Sequence, residues 1–556
     1  MSRTELHIVS PLEKPFWDDN IKKFKPLTRF SLLRGELGSF TVVYAEQDPA
    51  EKYSKRTVFI RINGSFPGEI EAARIDDLPV RMPVYKDSFD DGYIRTTPGL
   101  YPDLLVPVTD KTQLYVVPGE TKALWIDAVP DDDAPAGSYT LNVSLVDRSG
   151  AVIASSAVTI EVLPAKIPPR DFTVTEWFYA DCLAVRYNVP VFSEEHWRII
   201  GNFIKTAVKN GINMLLTPVF TPPLDTAVGG ERPTVQLVDV CKNGGEWSFA
   251  YPRFDRWVAL ADSLGVEKFE ISHFFTQWGA KHAPKIIATV DGVEQRVFGW
   301  ETDSHGEEYA GFLHAFLSDF LPHLEKLGIK DRCVWHVSDE PHFDALDSYR
   351  ACKETLQSAL GPDAYIMDAL SNIEFYKTGA VDHPIPGINH IRPFLEAKVP
   401  GLWTYYCCSQ NVGVTNRFIA GAGSRTRIAG VQFWKYDIKG FLQWGYNFWF
   451  NQYSISPVDP FICTDGEYFA PAGDAFSVLP APDGTAYETL HLRQFTAGLE
   501  DLRALRLCES LVGREKTLAA LEEVTGEITF TSYPLDPHTL IAARERINAL
   551  IKEALS

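Results

Sequence analysis

Cysteine is scarce in this chain, with eight thiols in 556 residues and no two at CxxC spacing. That excludes a disulfide framework and a zinc knuckle. Cys407 and Cys408 are adjacent and cannot readily bridge, and reduced thiols match a cytoplasmic location. Long apolar runs are missing as well. The opening stretch MSRTELHIVSPLEKPFWDD has no apolar segment of signal-peptide length, and no later segment reaches the roughly 18 apolar residues of a membrane-spanning helix. A cytoplasmic protein with no membrane partner is therefore expected, although a mature chain whose leader has been removed would read the same way. Positive charge is also short: 53 Lys and Arg against 73 Asp and Glu leave a net charge of −20. A polyanion needs a basic face, so nucleic acid is excluded as a partner. Internal repeats and low-complexity tracts are absent.

What is abundant is aromatic. Phe, Trp and Tyr make up 12% of the chain, and such rings stack on the C–H faces of sugars as well as filling cores. Hydrophobic residues at 45% and charged residues at 23% are those of an ordinary globular protein. Single cores split beyond roughly 250 to 300 residues, so two or three domains are expected.

Residues 1–165 read as a β-sandwich. Short β-branched and aromatic runs (FTVVYA at 40–45, RTVFIRI at 56–62, QLYVVP at 113–118, TKALWIDAVP at 121–130, GSYTLNVSLVD at 137–147, AVTIEVL at 157–163) alternate with Gly, Pro and Asp turns. LPAKIPPR (163–170), with three prolines, reads as a stiff linker. The rhythm then becomes strand, loop, helix. Strands are expected at 173–180, 212–220, 266–275, 333–340, 364–371, 380–386, 402–408 and 440–449, and eight is the number that closes a (β/α)8 barrel. Helices are expected at 193–211, with Ser193 as N-cap and Gly211 as stop, at 308–328 ending on Gly328, and at 425–440. The barrel is assigned to 170–450. Residues 451–556 form a C-terminal extension, with helices around 490–511 and 537–555.

In a (β/α)8 barrel the reacting groups sit at the C-terminal tips of the strands. That rule collects Asp181, His273, Gln277, Trp278, His336, Asp368, Asp382, Tyr405, Tyr406, Trp444, Tyr446 and Asn447. It singles out Asp339 and Glu340, which follow the strand CVWHVS and precede Pro341. Carboxylates, amides and aromatics together suit a sugar pocket. The bland alternative for the pair is helix capping of the following segment. Most glycosidases oppose two carboxyls across the bond, about 5 Å apart for retention, whereas neighbours on one tip approach from the same side. The seventh strand, LWTYYCC, offers no glutamate nucleophile either. Adjacent acids do suit substrate-assisted hydrolysis, in which the 2-acetamido oxygen of the sugar attacks its own anomeric carbon. Tyr405 or Tyr406 would then face the acetamido carbonyl.

The segments WHVSDEP (335–341), GFLQWGYNFW (440–449) and GDAFSVLPAPDGTAYETLHLRQFTAGLEDLRAL (473–505) resemble domain of unknown function 4091, which belongs with glycoside hydrolase family 123. The resemblance covers roughly 170–510. It implies a β-sandwich before a (β/α)8 barrel and a retaining, exo-acting β-N-acetylgalactosaminidase that works by substrate assistance, without a cofactor or a metal. Its tandem acids match Asp339, which orients the acetamido group and stabilises the oxazolinium, and Glu340, the general acid and then base. TEWFYADCLA, LTPVFTPPLDT and SHFFTQWGAKHAPK look like an uncharacterised branch. The expected partner is a glycan carrying a 2-acetamido sugar. Other readings are a glycosidase for another sugar with Glu340 as acid and base, a metal enzyme using His273, His336, Asp368 and His383, and a carbohydrate-binding protein without turnover. Arg417, Arg425 and Arg427 read as structural or, alternatively, as receptors for an anionic sugar group.

Overall fold

The computed structural model describes residues 4–46 and 55–556. The N-terminal region is β-rich, with two five-stranded sheets. One runs Thr4–Val9, Gly38–Glu46, Thr121–Pro130, Gly68–Val80, Gly99–Val108; the other runs Arg29–Arg34, Val152–Lys166, Gly137–Val146, Arg56–Asn63, Leu114–Val116. Phe40, Val42, Leu124 and Ile126 of the first share a core with Val58, Leu141, Val143 and Ile160 of the second. Alternate residues of each strand point to the same face, which is why the β-branched runs bury one side. The stretch read as a linker is partly strand, since Lys166 still pairs with Arg34.

The α/β region begins at the strand Thr173–Glu176. Around its curled sheet, Cys333–Val334, Lys268–Ile271, Met214–Thr217, Thr173–Glu176, Gly440–Gln443 and Trp403–Tyr405 are successive parallel neighbours. Met367–Ala369 and His383–Ile385 form a separate parallel pair. The bridges Trp335–Ile366 and Gly387–Tyr405 carry parallel pairing into it from both sides. Helices separate the strands, among them Glu194–Lys209, where Ser193 accepts from the His196 N–H, and Glu307–Leu327, stopped by Gly328 at φ 71°. The strand read at 333–340 is formally only two residues long because Trp335 leaves one neighbour to pair with Ile366. No helix among the described residues is long and apolar enough to cross a membrane.

Two devices join the regions. The C-terminal helix Leu490–Val512 lies between them, with Arg493 holding Asp127 of the β-rich region at 2.8 Å and Asp501 holding Arg427 at 2.7 Å. The second device is an arm, residues 81–98, thrown out between two strands of the first sheet. Its Asp90 pairs with Arg425 at 2.7 Å, its Tyr93 hydroxyl donates to the Asn411 carbonyl at 2.6 Å, and its Met82 carbonyl accepts from Ala472.

The helix Ala429–Lys435 crosses Leu490–Val512 so closely that a Cβ on Gly430 would lie 1.7 Å from the Gly498 carbonyl oxygen. Backbone on both sides leaves nothing flexible to yield. Gly430→Ala is expected to destabilise the fold by about 1–3 kcal/mol, read from chemical denaturation; an unchanged midpoint would contradict this crossing.

Candidate active site

The loops after the sheet enclose a pocket of about 170 Å³, lined by Trp177, Tyr179, Asp225, Gln277, Trp278, Asp339, Glu340, Tyr405, Trp444 and Phe469, with Cys407, Cys408 and Gln452 completing the polar set. Asp339 and Glu340 form part of its wall because backbone pairing holds their segment from both sides. The Phe275 N–H donates to the Val337 carbonyl at 3.1 Å, the Trp278 N–H to the Asp339 carbonyl at 2.9 Å, and the Glu340 N–H to the Ala369 carbonyl at 3.1 Å. Glu340 sits at φ 42°, a left-handed conformation that costs a non-glycine residue about 1–2 kcal/mol. Such strain persists only where the surroundings impose it, and it collects at functional sites. Trp278 (φ 62°), Asp225 (φ 40°) and Tyr453 (φ 61°) beside it are left-handed too.

The acids have distinct partners. Gln277 donates to Asp339 Oδ2 at 3.2 Å, and its other amide atom accepts from the Asp225 N–H. The Tyr405 hydroxyl donates to Glu340 Oε1 at 2.5 Å. Burial first, and the neighbouring Glu340 second, hold the Asp339 carboxyl well above the usual carboxylate range. The Asp339 carboxyl therefore keeps its proton at a pH where an exposed carboxyl has lost it. The helix-capping alternative fails, because the next helical turn, the 3-10 segment Phe343–Ala345, has His342 at its N-cap, and the α-helix Leu346–Leu360 that continues it has Ala345.

Beneath the pair lies a sealed polar layer. His336 meets Glu270 Oε1 through Nε2 at 2.8 Å and Asp368 Oδ1 through Nδ1 at 3.0 Å, with all three side chains fully buried. Both ring nitrogens face carboxylate oxygens, so both must donate and the ring is an imidazolium. Burial alone would strip its proton; the bonds to Asp368 and Glu270 outweigh that and lift its pKa to about 10. Asp368, pushed up by burial, is drawn back by the His336 ring, the Tyr349 hydroxyl and the Val337 N–H. Glu270 also takes the Trp177 indole N–H at 2.8 Å and the Thr175 hydroxyl, so this layer fixes an aromatic wall of the pocket as well as its acids. His273 stacks on His336 with centroids 4.3 Å apart, and burial, followed by the His336 charge, keeps it neutral. Ligand atoms of His273, His336 and Asp368 lie within 4.8 Å of one another. They do not suit a metal, since an imidazolium has no lone pair to give and repels a cation. His383 is elsewhere, stacked on Tyr365.

Residues 177–508, more than half of the chain, match the model of the glycoside hydrolase 123 catalytic domain. The chain belongs to glycoside hydrolase family 123. No curated protein sequence matches it. Among solved structures it is similar to a family 123 glycoside hydrolase from Clostridium perfringens, studied for glycolipid glycan hydrolysis, at 17% identity and a TM-score of 0.72 over 99% of this chain and 98% of that one. A Parabacteroides merdae β-glucuronidase is similar only at 10% identity and a TM-score of 0.32, over 84% of this chain and 50% of that one. The family makes this protein a glycosidase with a glycan substrate.

Of the residues expected at the site of this family 123 enzyme, Asp339, Glu340, Gln277, Trp278, Tyr405 and Trp444 line the pocket. His273, His336 and Asp368 belong to the layer below. Tyr406 is turned away onto Phe441, Tyr446 donates to the Phe203 carbonyl at 2.8 Å, and Asn447 ties down the Tyr179 backbone from behind. Asp181 is paired with Arg232 and Asp382 with Lys353. Sequence reasoning missed Trp177, Tyr179, Asp225, Cys407, Cys408, Gln452 and Phe469. The strand-end rule contained the signal for the first two and for the cysteines, since they follow the tips of the strands Thr173–Glu176 and Trp403–Tyr405.

His336 generates a stability prediction. A histidine whose pKa is raised on folding contributes stability that is full below its unfolded value near 6.5 and is lost as pH rises toward 10. His336→Gln, which strands two buried carboxylates, is expected to cost about 3–5 kcal/mol. Denaturation curves should place the larger deficit at pH 6 and the smaller at pH 9.5; an equal deficit at both would contradict the imidazolium.

Proposed function

We propose that this glycosidase is a retaining, exo-acting β-N-acetylgalactosaminidase that uses the 2-acetamido group of its substrate as the nucleophile, on a (β/α)8 barrel made of the eight parallel strands. The observation that carries the reading is the placement of Asp339 and Glu340 side by side on one wall, each with its own hydrogen-bond partner. The acetamido N–H donates to Asp339, whose own proton passes to Glu340, leaving Asp339 negative. Glu340 then protonates the leaving oxygen while the acetamido oxygen closes on the anomeric carbon and the glycosidic C–O bond breaks. Asp339 faces the resulting oxazolinium. The Tyr405 hydroxyl stabilises the carboxylate left on Glu340, which next takes a proton from the water that opens the ring. Two displacements at one carbon retain configuration. Trp177, Trp278 and Trp444 supply faces for the sugar, and a pocket of this size favours one terminal unit over an extended glycan.

Charge narrows the substrate. Among the described residues, no Lys, Arg or His lines the pocket, while Asp225, Asp339 and Glu340 do. Arg417 is held by Glu176 at 2.6 Å, Arg425 by Asp90 and Arg427 by Asp501. A uronate or sulfated sugar would find no counter-charge.

A second reading rests on Asp225. It is a third carboxyl in the pocket, lifted by burial to about 6 despite Arg232, with the Tyr453 N–H on its Oδ2 at 3.2 Å. An acid there could act as an opposed nucleophile for a sugar without an acetamido group.

Phenyl β-N-acetylgalactosaminide is expected to be cleaved with retention, and Glu340→Gln to lower kcat by about 10²–10⁴-fold. The matched β-galactoside and a 6-sulfated N-acetylgalactosaminide should be cleaved far more slowly. Equal rates on the plain galactoside, together with loss of that activity in Asp225→Asn, would instead establish the opposed-acid reading.

A further inference from the structure

Trp444, on the pocket wall just past the strand Gly440–Gln443, has one polar side-chain group, the indole N–H. That N–H donates to Oδ2 of Asp474 at 2.9 Å. Asp474 is fully buried and has no part in the reaction above. The Trp444 ring packs on Phe448 and Phe469, with centroids 5.1 and 5.7 Å away, and the Tyr179 hydroxyl donates to the Trp444 carbonyl at 2.9 Å. Apolar contacts are non-directional, so it is the hydrogen bond to a fixed acceptor that sets which way the indole faces.

Asp474 is fixed in turn by a chain of buried polar groups. Glu176 pairs with Arg417 at 2.6 Å, and Arg417 donates to Gln443 Oε1 at 2.5 Å. The Gly445 N–H donates to the same oxygen at 2.5 Å. With two donors on its oxygen, the Gln443 amide presents only N–H groups to Asp474, and its Nε2 donates to the Asp474 backbone carbonyl at 2.9 Å and to Oδ1 at 3.3 Å. Both side-chain oxygens of Asp474 therefore meet donors, Gln443 on one and the indole on the other. A carboxylate satisfies both. Burial pushes this carboxyl up to about 7, while the indole bond and the Arg417 guanidinium draw it back, so it is ionised at pH 8. An asparagine amide of the same size has a single oxygen and must turn its NH2 onto one of the two donors.

We propose that Asp474 is a positioning residue that sets the Trp444 ring against the bound sugar, and so governs how tightly the glycan is held rather than how fast its bond is broken. This role rests on the reading of Trp444 as a sugar face and is independent of which sugar is bound. Stacking on a ring face contributes alike to bound substrate and transition state, so its loss raises KM and leaves kcat near its starting value.

The test is a double-mutant cycle on the full-length protein at pH 8, with kcat and KM measured on whichever aryl β-glycoside the parent cleaves best in a panel differing in the sugar. Asp474→Asn is expected to raise KM about 10-fold with kcat within about 2-fold. Trp444→Phe keeps an aromatic face without the N–H. In that background the new amide is free to turn its oxygen to Gln443, and Asp474→Asn should change KM by less than about 2-fold. Thermal melts check folding; if Asp474→Asn alone does not fold, restored folding on adding Trp444→Phe is the expected result. The role would be overturned by an unchanged KM in Asp474→Asn, by a fall in kcat in place of the rise in KM, by an equal rise in both backgrounds, or by an unfolded variant that Trp444→Phe does not restore. The panel reports the sugar separately: a parent that prefers another sugar contradicts the N-acetylgalactosaminidase reading and leaves the cycle intact.

Discussion

One buried charge organises the candidate active site. The imidazolium of His336 is sealed between Glu270 and Asp368 directly beneath the tandem acids, and the elements around it are oriented by that arrangement. Glu270 reaches back to Trp177, just past the end of the strand Thr173–Glu176, and Asp368 reaches sideways to Tyr349 and to the Val337 backbone. Removing any one member would leave a bare charge in a low-dielectric interior, a penalty of several kcal/mol. The layer therefore specifies how three strand ends stand relative to one another. It also leaves Asp339 above a net negative environment, which adds to burial and to the neighbouring Glu340 in holding that carboxyl above the usual range.

Another part of the wall is built differently. Residues 444–474 contribute Trp444, Gln452 and Phe469, while the arm 81–98 of the β-rich region braces the segment that carries Cys407 and Cys408. The N-terminal region is thus structurally part of the site. Loops that would otherwise be free are anchored by the Asp90–Arg425 pair and by Tyr93, so the pocket is shaped before any sugar arrives, which lowers the ordering cost of binding.

Some of this was legible in the residues. Asp339 and Glu340 stood out because a strand pattern ended at them and a proline followed. Caps marked the helices Glu194–Lys209 and Glu307–Leu327, and turn chemistry marked six of the N-terminal strands. The rest failed for definable reasons. The strand Trp403–Tyr405 ends between the two candidate tyrosines, and packing on Phe441 takes Tyr406 out of the pocket and leaves Tyr405 in it. Tyr446 shares its parity with Trp444, but the strand has already ended at Gln443, and beyond it parity carries no information. Asp225 and Phe469 lie on irregular loops with no periodicity to read. The left-handed φ and the hydrogen bonds to Gln277 and to the Tyr453 N–H that place Asp225 are invisible in one dimension.

In the proposed reaction the pair on one wall acts with the sugar's own acetamido oxygen. A crystal structure of the enzyme with N-acetylgalactosamine thiazoline bound tests this most directly. Substrate assistance requires the ring nitrogen on Asp339, Glu340 within reach of the departing oxygen's position, and no carboxylate on the far face of the anomeric carbon. The Asp225 carboxylate standing on that face, in line with the scissile bond, would contradict it.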